Sequence, residues 1–141
     1  RIRFIGTKEG LSEEIKQKID IVENARNDIS NITMNIALNY GGREEIVHAV
    51  RSICKEVSDG TLKIEDIDEK QLSDHMYTYY MPDPDFIIRP SGELRLSNFL
   101  MWQSAYSEFW FSDINWPDFT GDDLLSAIAD YQRRNRRYGG V

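Results

Sequence analysis

In the stretch IIRPSGELRLSNFLMWQSAYSEFWF, residues 87–111, two arginines, two serines and a glutamate stand between a short apolar run and an aromatic block. Arg89 follows Ile87 and Ile88 at the end of what reads as a strand, where open parallel sheets gather their ligands. Arg95 comes after a loop holding Ser91 and Gly92, so both guanidinium forks can converge on one anion. Ser97 falls where a helix is predicted to begin, and free backbone N–H groups there favour negative charge. Together these residues describe a diphosphate site. Glu108, among Tyr106, Phe109, Trp110 and Phe111, is a carboxylate that needs a partner. Beside a diphosphate that partner is magnesium, which takes one or two carboxylates together with phosphate oxygens. The plainer alternative makes Arg89 and Glu108 an internal ion pair and Ser97 a helix cap. Residue types alone do not choose between the two.

The elements that must position these residues can be read from periodicity. RIRFIG at residues 1–6 has the character of a strand. Leu11, Ile15, Ile19, Val22 and Ala25 then recur at helical spacing, with Ser12 as an N-cap. In NITMNIALNY the period changes to two, which puts Ile32, Met34, Ile36 and Leu38 on one face of a strand. A Gly-Gly pair opens a second helix from Arg43 to about Val57. The acidic run from Ser58 to Asp74 reads as a surface connection with a short helix near its end. MPDPD is turn chemistry and delivers the chain into a strand at Phe86–Ile88. A helix from Ser97, an aromatic strand near Phe109–Phe111, a Trp-Pro turn and a final helix capped by Thr120 complete the pattern. Strands alternating with helices, without a hairpin signal, predict an α/β fold with a mostly parallel central sheet flanked by helices. With 141 residues, 40% of them hydrophobic, the chain is expected to form a single domain with one core.

A formal net charge of −7 argues against nucleic acid or an anionic membrane surface as the principal partner, so any anion must meet a local cluster. Cys54, at helical spacing with Ile46, Val47, Val50, Ile53 and Val57, reads as a buried thiol in a reducing compartment, and one cysteine supports neither a disulfide framework nor a cysteine zinc site. No apolar run is long enough to span a bilayer and no signal peptide opens the chain, so a cytoplasmic location is expected.

Several other residues have plain readings. NYGGR at residues 39–43 could cradle a phosphate, but without a Walker lysine it reads as a strand-to-helix turn, leaving Asn39 and Arg43 as supporting residues behind the site. His48 and His75 lack carboxylate or cysteine neighbours at metal spacing and read as ordinary helix residues. Trp102, Tyr106, Trp110, Phe111 and Trp116 read as core and subunit-interface residues. The cations of QRRNRRYGG suit a helix C-terminus.

The order of residues adds a family resemblance. DPDFIIRPSGELRLSNFLMWQSAYSEFWFSDINWPDF, residues 83–119, closely resembles the C-terminal signature of the cis-prenyltransferases, the family of undecaprenyl diphosphate synthase. NIALNYGGREEI, residues 35–46, is similar to a second family segment, and RIRFIG matches the strand that usually precedes it. The resemblance implies that Arg89, Arg95 and Ser97, with the backbone of Leu96, hold the diphosphate of isopentenyl diphosphate, and that Glu108 serves magnesium. It implies condensation of isopentenyl diphosphate with an allylic diphosphate such as farnesyl diphosphate, giving a polyprenyl, in particular undecaprenyl, diphosphate. It further implies a homodimer, a membrane-associated product that allows peripheral membrane attachment, and a role for Arg137 and Gly139 of the tail in dimerisation or in completing the site. Ile36 and Leu38 are candidates, on the resemblance, for the lining of an apolar tunnel.

Two family segments, Met-Asp-Gly-Asn-Gly-Arg-Trp-Ala and Ser-Thr-Glu-Asn-Trp, are not found in these 141 residues. The resemblance therefore implies the C-terminal portion of a synthase, holding the acceptor site without most of the allylic site and inactive by itself. Pro90 replaces a usual threonine, and Thr7 stands where an aspartate commonly follows the strand glycine. The alternative reading is a non-catalytic partner subunit that completes another chain's site. A generic anion-binding module would instead show no preference for isopentenyl diphosphate.

Overall fold

The computed structural model describes residues 1–25 and 32–136. The chain divides into two compact units, Arg1–Met81 and Pro82–Val141. The first runs β1 (Ile2–Ile5), α1 (Glu13–Asn24), β2 (Met34–Ala37), α2 (Gly42–Ser58), a 3-10 turn at Ile64–Asp66 and α3 (Glu69–Asp74). The second runs β3 (Phe86–Arg89), β4 (Glu108–Phe111), a 3-10 turn at Trp116–Asp118 and α4 (Gly121–Arg133). Both strand pairs are parallel, with Ile2 opposite Met34 and Phe86 opposite Glu108. Parallel strands flanked by helices are the α/β architecture expected from the alternation of periods.

Within the first unit, Ser12 accepts from the Ile15 amide and starts α1, as its position before an amphipathic run predicts. The carboxyl ends of β1 and β2 are tied together. Leu38 N–H donates to the Ile5 carbonyl at 3.0 Å, and Asn39 Nδ2 donates to the Thr7 and Glu9 carbonyls at 3.1 and 3.0 Å. Gly6 makes this approach possible: at φ +121° a Cβ there would stand 2.2 Å from the Leu38 carbonyl oxygen. Ile5, Ile19, Ala49, Ile53 and Met76 are buried.

The buried stripe of α2 departs from the sequence reading. Gly42, Glu45, Ala49 and Ile53 face inward, while Val47 and Val50 are exposed. Cys54, expected to be buried, is exposed. The reason is Glu45, which is 1% exposed and accepts from the Tyr40 hydroxyl at 2.6 Å and from the Tyr77 amide at 2.8 Å. Two donors satisfy the carboxylate and make it tolerable in the core, so the buried stripe runs through Glu45, Ala49 and Ile53. His48 stacks on Tyr77, with ring centroids 4.9 Å apart, and His75 closes α3, so neither departs from an ordinary structural role.

Within the second unit, Phe86 on β3 packs against Tyr131 of α4 at 5.0 Å, and Ile87, Leu100 and Ala127 are buried. Thr120 and Asp123 form a reciprocal capping box that starts α4. The helix predicted from Ser97 is absent. Residues 97–106 form turns and bends, because Ser97, Asn98 and Leu100 take φ values of 50°, 64° and 44°. Left-handed residues cannot propagate a right-handed helix, so Ser97 offers no helix dipole to an anion.

Candidate functional site

The loop that leaves β3 carries the site. Its backbone is anchored to the exit of β4: Ser91 N–H donates to the Ile114 carbonyl and Gly92 N–H to the Ser112 carbonyl, both at 2.8 Å, while Ser112 N–H donates to the Arg89 carbonyl at 3.1 Å. Ser91 and Gly92 sit at φ 71° and 69°, giving the tight turn that reverses the chain. This clamp presents Arg89 at the carboxyl end of a parallel strand, where the strand's twist opens a crevice.

There the loop encloses a cleft of about 440 Å³ whose lining includes polar Arg89, Ser91, Glu93 and Arg95 and apolar Pro90, Leu96, Phe99 and Trp116. Arg89 donates from Nη2 to Ser97 Oγ at 3.3 Å, and its Nε is buried without a hydrogen-bond partner. A buried, unpaired guanidinium N–H is costly unless an acceptor arrives. The Arg95 side chain, 70% exposed, pairs with Glu93 at 2.5 Å. Two guanidinium groups and a hydroxyl beside apolar walls suit a small ligand with an anionic head and a hydrocarbon body.

Of the residues expected at the site, Arg89, Arg95 and Leu96 line the cleft, and Ser97 is tied to it through its bond from Arg89. Glu108 is not among the cleft's lining residues. It opens β4 opposite Phe86, whereas Arg89 lies opposite Phe111, so the two are separated along the strand pair by about 10 Å at the usual rise per residue. Its carboxylate accepts from Arg134 Nη1 at 2.9 Å rather than from Arg89, which sets aside the plain ion-pair alternative. Arg134 also donates to the Phe109 carbonyl at 2.7 Å and to Asp130 at 2.7 Å. These bonds, Asp130's first and then Glu108's, hold the guanidinium still more firmly in its charged form, and Arg134 in turn lowers the Asp130 carboxyl. Among the described residues no group of three or more His, Cys, Asp or Glu could hold a metal ion. With a guanidinium on its carboxylate, Glu108 as it stands does not fit magnesium.

Asn39 and Arg43 lie in the first unit, where Asn39 bonds the β1 exit and Arg43 sits exposed in the first turn of α2. Arg137 and Gly139 fall outside the described residues. Glu93, Pro90, Phe99 and Trp116 were not singled out as site residues by sequence reasoning. The rule that flagged Arg89, ligands at strand carboxyl ends, applies equally to the segment after β4 and points to Trp116. Among the described residues, no helix is long and apolar enough to cross a membrane.

Arginines line a cleft at the carboxyl end of parallel strands in an α/β protein. Residues 1–139 match the prenyltransferase family model described as "Putative undecaprenyl diphosphate synthase", and the chain belongs to that family, the cis-prenyltransferases. The isoprenyl transferase of Clostridium perfringens is 52% identical over 141 residues, covering 100% of this chain and 56% of its own length. The isoprenyl transferase of Heliobacterium mobile is 50% identical over 143 residues, 54% of its length. Among solved structures, lavandulyl diphosphate synthase from Lavandula x intermedia in complex with dimethylallyl diphosphate superposes with a TM-score of 0.94 at 39% identity, covering 99% of this chain and 60% of that one. A "probable undecaprenyl diphosphate synthase" from Campylobacter jejuni gives 0.84 at 28% identity, covering 99% and 63%. The chain thus spans just over half the length of the curated relatives it matches.

Proposed function

We propose that this chain binds isopentenyl diphosphate as the acceptor in cis-prenyl chain elongation. The observation that carries this reading is the cleft in which Arg89, with its unpaired buried Nε, and Arg95 face Leu96, Phe99 and Trp116 in a chain of this family. Arg89 and Arg95 take the diphosphate oxygens, Ser97, whose Oγ accepts from Arg89, donates its O–H to the ligand, and the apolar lining receives the five-carbon body. In the elongation step the isopentenyl double bond attacks the allylic carbon, diphosphate leaves that carbon with the electrons of the broken C–O bond, and the isopentenyl carbon beside the resulting cation gives up a proton to the departing diphosphate or water, forming a Z double bond. The contribution of the residues described is orientation of the acceptor and neutralisation of its charge.

The allylic partner in this reading is a diphosphate such as farnesyl diphosphate, and the product is a polyprenyl diphosphate of the undecaprenyl type, made by a homodimer in the cytoplasm with its product passing to the membrane. Magnesium would supply charge neutralisation to the diphosphates, and Glu108 is the one residue of this chain put forward to hold it, although its carboxylate accepts from Arg134 in this structure. The test is incorporation of labelled isopentenyl diphosphate into polyprenyl product with farnesyl diphosphate and magnesium, with the chain alone and with a supplied N-terminal half of a relative. Product formation that needs that half and is lost in Arg89→Ala supports the reading. A folded reconstitution that binds isopentenyl diphosphate but makes no product would favour a non-catalytic partner subunit.

A further inference from the structure

The cleft contains a carboxylate that the binding of an anion does not explain. Glu93 lines the same cavity as Arg89 and Arg95, its side chain is 34% exposed, and its Oε2 stands 2.5 Å from Arg95 Nη1. A carboxylate presents a guanidinium with the same kind of paired oxygen acceptor that a phosphate does, so one fork of Arg95 cannot serve both in full. Arg89 is held differently: its partner is the neutral Ser97 hydroxyl, and its Nε remains open.

We propose that Glu93 is an internal competitor for Arg95: it holds the guanidinium between ligands, is displaced by the incoming diphosphate, and thereby limits how tightly the site binds. This rests on the reading of the cleft as a diphosphate site. Arg95 is largely solvated and Glu93 about a third exposed, and water reaching an Arg–Glu pair weakens it, so a diphosphate that engages both arginines displaces it. Displacement does not remove the carboxylate, because the loop just before it is fixed by its own backbone. Ser91 and Gly92 stay bonded to Ile114 and Ser112 whatever the Glu93 side chain does. Glu93 then remains within reach of Arg95 and recaptures the guanidinium when the ligand leaves. The same anchoring means that Glu93→Gln alters the charge without moving the loop.

The experiment is calorimetric titration of the whole chain with inorganic diphosphate, for the wild type, Glu93→Gln, Arg95→Gln and the double variant, with Arg89→Ala as a reference. Glu93→Gln is expected to bind about two- to five-fold more tightly, the scale of an exposed ion pair. That gain is expected to shrink to nothing in the Arg95→Gln background, a result that neither a structural role nor simple repulsion produces. Unchanged or weaker binding in Glu93→Gln would overturn the proposal, as would a gain that survives loss of Arg95. Glu93→Ala, with circular dichroism as a check on folding, should reproduce the Gln result. Wild-type binding that is absent, or indifferent to Arg89→Ala, would overturn the diphosphate reading itself, and the role of Glu93 with it.

Discussion

Arg89 Nη2 and Ser97 Oγ are 3.3 Å apart, and this bond closes the loop between them on its own first residue. The hydroxyl keeps the guanidinium turned toward the cleft while leaving Nε unpaired. Ser97→Ala is therefore expected to weaken diphosphate binding about two- to ten-fold, the net worth of one typical hydrogen bond, without unfolding the chain. Arg89→Lys, which keeps the charge and loses the fork, should fall between Ser97→Ala and Arg89→Ala. Calorimetric titration with diphosphate checks the order.

Gly6 is predicted to be intolerant of any side chain. Ala there must take φ +121° and place its Cβ 2.2 Å from the Leu38 carbonyl oxygen, a backbone atom that cannot swing aside. The backbone strain alone costs about 1–3 kcal/mol, and separation of the β1 and β2 exits adds to it. Urea unfolding of Gly6→Ala should show the loss, whereas Gly10→Ala, at φ +77° with nothing near its Cβ, should lose only the smaller conformational part.

Glu45 is the buried acid on which α2 turns. Glu45→Ala strips the acceptors from the Tyr40 hydroxyl and the Tyr77 N–H, which costs about 1–3 kcal/mol for the amide left unsatisfied. Glu45→Gln keeps an acceptor for Tyr77 and should lose less. Chemical denaturation ranks the three proteins.

His75 links α3 to α2. Its Nδ1 donates to the Gln71 carbonyl at 2.7 Å, so Nε2, 3.0 Å from the Glu56 carboxylate, is the nitrogen that gains a proton. The Glu56 hydrogen bond first, then that to Gln71, raises the imidazole above its ordinary 6.5. A raised folded pKa stabilises the fold fully below the unfolded value near 6.5 and loses that stabilisation as pH climbs through the folded value. The urea midpoint should therefore fall as pH rises from about 6 upward through that range, and His75→Gln should flatten the slope. Glu56 is half exposed, so the effect is small and salt weakens it.

Local chemistry made most elements legible in the sequence: the Ser12 and Thr120 caps, the Gly-Gly entry to α2, and the two prolines before β3 each act on adjacent residues. Arg89 was legible because a strand end is a local signal. The segment after Ser97 was misread since Leu96, Phe99 and Leu100 have helical spacing, while the left-handed turns of Ser97, Asn98 and Leu100 depend on packing that periodicity does not record. Glu45 and Cys54 exchanged expected burial for the same reason: Tyr40 and Tyr77 reach the acid from outside the helix, and Tyr77 lies far along the chain. Glu108 was placed beside the diphosphate by proximity in sequence, but the β3–β4 register carries it to the far end of the strands, where Arg134 meets it.

The central claim is that the β3 exit loop is an acceptor-diphosphate site, and titration of the chain with isopentenyl diphosphate tests it most directly. Saturable binding is expected, falling as salt rises and weakened about ten- to hundred-fold by Arg89→Ala, the scale of a charged hydrogen bond. Absence of binding, or equal binding by wild type and Arg89→Ala, would contradict it.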